Sequence, residues 1–596
     1  MKKTFLEYYQ TNLEHLRELG SEFAQDFPKI ASRLELSANE CPDPYVERLL
    51  EGAAFLAARV EKKFDDGNPR LLESVLASAA PRLLAPLPSH CVLELQEPDF
   101  GQGCLLPAGS LFQANIPGIQ TPCTFSTLWD VPLFNITLGS AKYLTLELGS
   151  YGLTGESGLY LEFDVHPQNF SPDTPDGLLL HLNVNDAEAS EIQRLLQIDL
   201  TGCHVRQGAS WQKCADVSFG IPDLDDTTLS PQKQHSQLEG VEQLYRFMAF
   251  PAGQKFVLLK NFSRLLQRAE NGKLQLVFTF RRRNTELVHL LKNDTFRLNC
   301  VPAVNLFAKR SERTSFSLRH EFQVVPDRTA PLDYEIMQVN RVELFDANNR
   351  NVQNVRNLYE NCEDFTDCSD REYFAAHRRE RLLGDNRHSR SSYHGSEVFL
   401  SFSGEMIRQY QNQPMQFQAD LLCSNRDLPL LLRGDAVLTA VLPKTVRKAR
   451  FAVPPGNPAP PLIADGSREA WEKTGCLTLH FSTMLWQSDI MPLKILKELI
   501  RNYSPRNTEE TEKLLDGITE LQSAPEVFRF IRKGCIFFEN GWKLRLTLDE
   551  TCCVGTGFYI FACVLRKLLE SYAPLNTPVR LELFTKQQGR ITEWTM

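Results

Sequence analysis

Cys362 and Cys368, followed by His377, His388 and His394, gather metal-binding side chains in the stretch "CEDFTDC…HRRERLLGDNRHSRSSYHG". A structural zinc site needs thiolate and imidazole pairs at short, regular spacing, usually about two to four residues between cysteines. Here five residues separate the cysteines, and the histidines follow no period. No metal centre is expected. Arg378, Arg379, Arg381, Arg387 and Arg390 make the same stretch basic, while Glu380 and Asp385 dilute the charge and aromatics are few. It reads as a solvated loop or the rim of a contact with an acidic protein, not as a nucleic-acid surface.

Other motifs stop short of their chemistry. "HEFQV" from His320 begins like the H-E-x-x-H of zinc proteases, but Val324 stands where the second imidazole must be. Two imidazoles one helical turn apart are the point of that motif, and this segment alternates like a strand. "GTGFYIF" from Gly555 lacks the third glycine of a dinucleotide loop and has no βαβ context, so a turn is expected. "NGKLQ" has no upstream glycine at phosphate-loop spacing and no Ser or Thr after Lys273. "GESG" around Ser157 is not a nucleophile elbow. Arg281–Arg283 ends an apolar strand, and no pair of carboxylates stands out as an acid–base couple. The residues therefore name no catalytic group, no cofactor, no metal and no small-molecule substrate.

The chain that would have to position such groups has 596 residues, enough for roughly four domains. It is 42% hydrophobic and 23% charged with a net charge of −9, a globular composition that argues against a polyanion binder. The start, "MKKTFLEYYQTNLEHL", has basic residues but no apolar run after them, because Glu7, Gln10, Asn12 and Glu14 interrupt it. "FYIFACVLRKLL" is too short to span a bilayer and contains Arg566 and Lys567. Neither an export signal nor a membrane helix is expected. Fifteen cysteines lie scattered with no C-x-x-C, several inside apolar runs, for example Cys91, Cys423 and Cys476. Buried free thiols in a reducing cytosol fit that pattern better than a disulfide framework.

Residues 1–90 read as helices. Phe5, Tyr9, Leu13, Leu16, Leu19 and Phe23 recur at helical spacing. In "ECPDPYVERLLEGAAFLAARVEKKFDD", Asp43 and Pro44 suit a helix start and Gly67 a stop. Val46, Leu49, Leu50, Ala53, Leu56, Ala57, Val60 and Phe64 give the apolar stripe between them, and Gly52, Ala53, Ala54, Ala57 and Ala58 thin the helix for a close neighbour. From Cys91 the texture becomes short alternating runs such as "LYLEFDVH" and "KLQLVFTF", which predicts sandwich- or barrel-like β structure. The expected divisions are a β-rich domain at 91–330, a second at 331–452, a proline-rich linker at 453–465 around "VPPGNPAPP", and a mixed α/β domain at 466–596. The fold class expected is thus α+β and multi-domain. The helical N-terminus carries more apolar face than its length can bury alone.

The blocks "YYQTNLEHLRELGSEFAQDFPKIASRLEL", "CPDPYVERLLEGAAFLAARVEKKFDDGNPRLLESVL" and "PRLLAPLPS" resemble the N-terminus of the TssF family, also called VasA or ImpG. Its members are baseplate subunits of the bacterial type VI secretion system. Further matches run in order: "LPAGSLF", "CTFSTLWDVPLF", "CSNRDLPLLL" and the segment from "FENGWKLRLTLDE" to "ITEW". Cys552 and Cys553 depart from the family, which carries an aromatic-glycine run there, and Met596 follows closely on Trp594, where relatives begin a short basic tail.

The resemblance implies a structural role and a fold like contractile-phage wedge proteins. Two TssF copies would pair with one TssG, joined by TssK, TssE and the VgrG hub. The platform would sit in the cytoplasm, docked on the inner-membrane complex. Nucleic acid and small-molecule substrates are not among the expected partners. The candidate partner-facing residues are Tyr8, Tyr9, Leu13, Leu16, Leu49, Leu50, Ala53, Leu56 and Val60. The alternative is an enzyme or carbohydrate-binding protein of β-sandwich modules.

Overall fold

The computed structural model describes residues 5–31, 44–65, 74–77, 81–98, 105–166, 176–224, 229, 239–284, 287–316, 320–346, 350–359, 372–381, 390–404, 415–442, 445–461, 471, 474–475, 491–504, 509–532, 535–553, 557–573 and 577–595. Met1–Leu84 with Ile463–Thr478 form one compact unit, and Ala85–Leu462 with Leu479–Met596 form a second. The fold is mixed α+β, with a helical N-terminal segment and a strand-rich remainder.

In the first unit the two long helices are α1 (Phe5–Asp26) and α2 (Pro44–Asp65). They pack against each other. The Phe5 and Phe55 rings meet edge to face with centroids 5.3 Å apart. The Asn12 amide donates to a Glu61 carboxylate oxygen at 2.5 Å, and Arg17 pairs with Glu47. Tyr8, Ala54 and Ala58 are buried. Asp43 and Gly67, the expected ends of α2, lie outside the described residues.

In the second unit six strands close a barrel in the order His90–Pro98, Cys300–Val304, Cys123–Thr127, Leu111–Ala114, Val437–Leu442 and Val446–Val453, the last returning to the first. Buried residues such as Val92, Leu93, Phe112, Phe125, Val301, Leu438 and Ala449 make its core. Closure leaves no exposed edge among these strands.

Two sheets lie between barrel strands in sequence. Five antiparallel strands run in the order Ser210–Cys214, Leu200–Gln207, Lys273–Phe280, Ser157–Val165, Ile136–Leu144. Four more run Phe219–Gly220, Phe256–Lys260, Gly177–Leu182, Phe296–Arg297. Along Gly177–Leu182 every residue is buried. Strand geometry sends alternate side chains to opposite faces. Leu178, Leu180 and Leu182 accordingly join a core shared with the five-stranded sheet, while Leu179 joins the barrel core. The helix Asp186–Ile198 adds Ile192, Leu195 and Leu196 to the shared core. Its start is fixed by a capping box: the Asn185 side chain accepts from the Glu188 backbone N–H, and Glu188 accepts from that of Asn185.

A third sheet has its long strands at Gln416–Ser424, Glu335–Phe345, Asn351–Asn357, Tyr373–Glu380 and Ser396–Ser403, with Phe307–Arg310 and Phe322–Gln323 at its ends. Phe316, Phe322, Phe402 and Phe417 form its aromatic centre. This corrects the expected division at 330/331. Strands before 330 belong to this sheet, and the barrel takes its last two strands from residues 437–453. Residues 307–424 are therefore an insertion in the barrel. Pairing His90–Pro98 with Val446–Val453 follows from ring closure, which no local pattern announces.

The expected linker also differs. Ala459 and Leu87 exchange backbone hydrogen bonds at 2.8 and 2.9 Å, the Gly456 N–H donates to His90 O at 2.9 Å, and Tyr245 Oη donates to Pro460 O at 3.2 Å. Ala459 is buried. Proline forbids a regular ladder but leaves carbonyls and the non-proline N–H groups able to pair. Residues 462–465 lie outside the described residues.

The C-terminal sheet orders Ile518–Arg532, Cys535–Leu548, Val579–Thr585 and Gly589–Thr595, with the middle pair parallel. The crossover between that pair includes the helix Phe558–Tyr572, buried from Phe558 to Leu565 and again at Leu568 and Leu569. A helix apolar on all sides belongs inside. Phe561 stacks on Phe247 of the helix Glu239–Ala249 at 6.1 Å, and Tyr559 Oη donates to Gln197 at 2.6 Å. Gly240 passes so close that a Cβ there would lie 2.4 Å from Lys567 O. In "GTGFYIF", Gly557 adopts a positive φ before that helix and Ser190 Oγ accepts from the Ile560 N–H at 3.2 Å; Gly555 and Thr556 lie outside the described residues.

Candidate partner interface

The nine sequence-derived interface residues do not form one surface. On α2, Glu47, Leu50, Ala54, Ala57, Ala58 and Glu61 are buried or half-buried and share one side, the side that meets α1. At 3.6 residues per turn, Leu49, Ala53, Leu56 and Val60 fall on the other side. There Leu49 is 73% exposed, Leu56 63% and Val60 55%. On α1, Tyr8 is buried and Tyr9, Leu13 and Leu16 are half-buried, whereas Leu19 and Phe23 are exposed.

Two corrections follow. Leu50 does not face the same way as Leu49, because one residue along a helix is a rotation of about 100°. The alanines that allow close approach, Ala54 and Ala58, serve the contact with the chain's own α1. What remains open is the apolar row Leu49, Ala53, Leu56, Val60. Contiguous exposed apolar rows of this kind mark surfaces that associate.

A second apolar surface was missed in the sequence. The hairpin Ile518–Arg532/Cys535–Leu548 pairs down to Arg532 opposite Cys535, but the next strand covers it only from Trp542 to Leu548. Its outer half is a ribbon two strands wide. Register places Val527 opposite Asn540, Arg529 opposite Phe538 and Ile531 opposite Ile536 on one face. Val527, Ile531, Ile536 and Phe538 are exposed there. At the ribbon's base Phe528 is buried with the Arg580 guanidinium 5.1 Å from its ring, and Arg580 donates to Glu526 at 2.7 Å. The signal was the length of "ITELQSAPEVFRFIR" and "CIFFENGWKLRLTL", each more than twice a common strand.

The stretch that gathered metal-ligand types is arranged for structure. Arg378 donates to Ile336 O, Met337 O and Ser396 Oγ at 2.7–3.0 Å. Arg379 pairs with Glu321, Arg381 with Glu397, and Arg390 with Asp333. These guanidinium groups have partners within the chain, so they do not make a field for phosphate. His377 lies beside Ser401 at 3.4 Å and His394 is exposed. Cys362, Cys368, Arg387 and His388 lie outside the described residues. Among the described residues no three His, Cys, Asp or Glu side chains are grouped to hold a metal, and no helix is long and apolar enough to cross a membrane. His320 precedes the strand Phe322–Gln323, and Lys273 follows the Asn271–Gly272 turn and opens a strand.

The family model described as Type VI secretion system, TssF matches residues 1–596. The chain is 29% identical to "Type VI secretion system component TssF1" of Pseudomonas aeruginosa, covering 100% of this chain and 98% of that one. A chain in a cryo-electron-microscopy structure of "the type VI secretion system TssK-TssF-TssG baseplate subcomplex" is similar with a TM-score of 0.68 and 19% identity, over 92% of this chain and 98% of that one. A chain of "The baseplate complex from the type VI secretion system" is similar with a TM-score of 0.52 and 18% identity, over 99% and 98%. With the family model spanning its whole length, the chain belongs to the TssF family of the type VI secretion system.

Proposed function

We propose that this chain is a structural subunit of a type VI secretion baseplate, in which two copies join one TssG to form a wedge. TssK, TssE and the VgrG hub are the further neighbours, in the cytoplasm against the inner-membrane complex, and the chain performs no catalysis. The single observation that carries the reading is the row Leu49, Ala53, Leu56 and Val60, exposed on a helix whose other side is already packed. A leucine buried from water contributes about 1.5–3 kcal/mol, so such a row favours a covered state. The solved complex whose fold this chain shares contains TssK, TssF and TssG by its description, which supports those partners for this chain. The test is co-expression with TssG and TssK followed by native mass measurement. The expected species contains a pair of copies of this chain per TssG. A chain that stays monomeric beside TssG, or that melts higher on adding a small sugar or substrate, contradicts the reading.

A further inference from the structure

Cys203 and Cys214 are equidistant from the Gly208–Ala209 turn that joins Leu200–Gln207 to Ser210–Cys214. The hairpin register sets Cys214 directly opposite Cys203. Directly opposed residues of antiparallel strands have Cα atoms about 4.5–5.5 Å apart. That separation lies inside the roughly 4.4–6.8 Å range a disulfide spans. Joining the sulfurs calls for side-chain rotation and for the two Cβ atoms to close to about 3.5–4.5 Å. Both are free thiols.

Their surroundings make the two sulfurs unequal. Arg268 Nη1 donates to Cys214 Sγ at 3.0 Å. The neighbouring Cys203 thiol, and then the Arg268 charge, hold Cys214 below the ordinary thiol range. Cys203 is pushed up by its Cys214 neighbour and by burial. The thiolate is the nucleophile in thiol chemistry, and a neighbouring cation favours it. Cys91, Cys123, Cys300, Cys423 and Cys553 are instead pushed up, chiefly by burial, and among the described residues no cation donates to their sulfurs. Cys214 ends the outermost strand of its sheet; it is buried, at 7% exposure, beside the exposed Arg268, and retains slightly more accessible surface than Cys203 at 2%.

We propose that Cys203 and Cys214 form a reversible disulfide across this hairpin, with a hydroperoxide as oxidant. The Cys214 thiolate attacks one oxygen of hydrogen peroxide. An S–O bond forms, the O–O bond breaks, and hydroxide leaves and takes up the proton released by the thiol, giving water and a sulfenic acid. Cys203 sulfur then attacks the sulfenic sulfur. The S–S bond forms, the S–O bond breaks, and the oxygen departs as water with the Cys203 proton. Two thiols are oxidised and one peroxide is reduced to two waters. A dithiol reductant reverses the change through a mixed disulfide. The bond locks the sheet's edge hairpin and removes Cys214 from Arg268.

The test treats the full-length protein with a small excess of hydrogen peroxide, blocks the remaining thiols by alkylation, and maps non-reduced peptides by mass spectrometry. The expected result is a linked pair of peptides carrying Cys203 and Cys214, two hydrogens lighter than the sum and separated by dithiothreitol. Cys203→Ser should stop at a Cys214 sulfenic acid that dimedone traps. Arg268→Gln should slow loss of the two thiols about tenfold at neutral pH. Recovery of both cysteines as alkylated thiols from the peroxide-treated wild-type protein overturns the proposal, as does a Cys214 linked mainly to another cysteine.

Discussion

Asn305 and Asn425 bond to each other at the two places where the chain leaves the barrel for the inserted sheet and comes back. Asn305 Nδ2 donates to Asn425 Oδ1 at 2.9 Å, and the Asn425 N–H donates to Asn305 Oδ1 at 2.6 Å. The same two side chains hold the barrel strand between them: Asn305 Nδ2 also donates to Thr124 O at 2.7 Å, and the Thr124 N–H donates to Asn425 Oδ1 at 3.0 Å. Both residues have no exposed surface. A buried amide is tolerated only when its bonds are made, and here each bond also fastens one domain to another.

Asn425→Leu removes an acceptor from the Thr124 N–H and from Asn305 in one change. Each buried group left unpaired costs about 1–3 kcal/mol. The expected outcome is a clear fall in melting temperature by scanning fluorimetry, with earlier proteolysis inside residues 307–424. A variant that melts with the wild type would show that the pair is incidental to the junction.

Much of the architecture was readable from single residues. The alternating runs announced strands, and the apolar spacing of α1 and α2 announced helices. The nesting was not readable. Val92 and Val453 pair although hundreds of residues separate them, because the ring must close. Leu178 to Leu182 read as one of the short strand-like runs, and only the fold shows that alternate residues serve two cores. Nothing local tells a turn amide from a buried one, so the pairing of Asn305 with Asn425 has no signature in the sequence. At the interface, the helix stripe was visible, but which of Leu49 and Leu50 faced out depended on where α1 lay. Cys203 and Cys214 do carry a signal in the sequence, their equal distance from a Gly-containing turn.

His181 gives the protein an acid limit. Both ring nitrogens are buried without a hydrogen-bond partner, and the ring lies 4.9 Å from that of Phe256. Burial first, then the charges of Lys255 and Arg297, lower its pKa to about 3. The unfolded state takes up a proton near pH 6.5, while the folded state does not until about 3. Stability is therefore lost as pH falls through that window, and levels off below it. His90, lowered to about 4 chiefly by burial, acts in the same direction. His181→Phe should flatten the fall of melting temperature between pH 6.5 and 4. An unchanged slope would assign the acid limit to other groups.

The outer ribbon should make the isolated chain self-associate. Among the described residues neither of its edges has a partner strand beyond Trp542, and Val527, Ile531, Ile536 and Phe538 are exposed together. Open apolar edges pair with further copies. Replacing Ile531 and Phe538 by lysine should leave melting within about 0.5 kcal/mol, as expected of exposed positions. Light scattering should show smaller particles at equal concentration. Scattering that does not change would mean the ribbon takes no part in self-association.

The central claim is that the open side of α2 is where this chain is held by its partners. Leu49→Asp with Leu56→Asp tests it most directly, because both residues are exposed in the single chain. A carboxylate in an apolar seam lacks a partner and opposes association. The measurement is capture of TssG from cells co-expressing TssG and TssK, alongside the melting temperature of the variant. The account predicts an unchanged melting temperature and capture weakened at least about tenfold, while Leu50→Asp, on the side facing α1, lowers the melting temperature. Normal capture by the Leu49→Asp, Leu56→Asp chain would contradict the account.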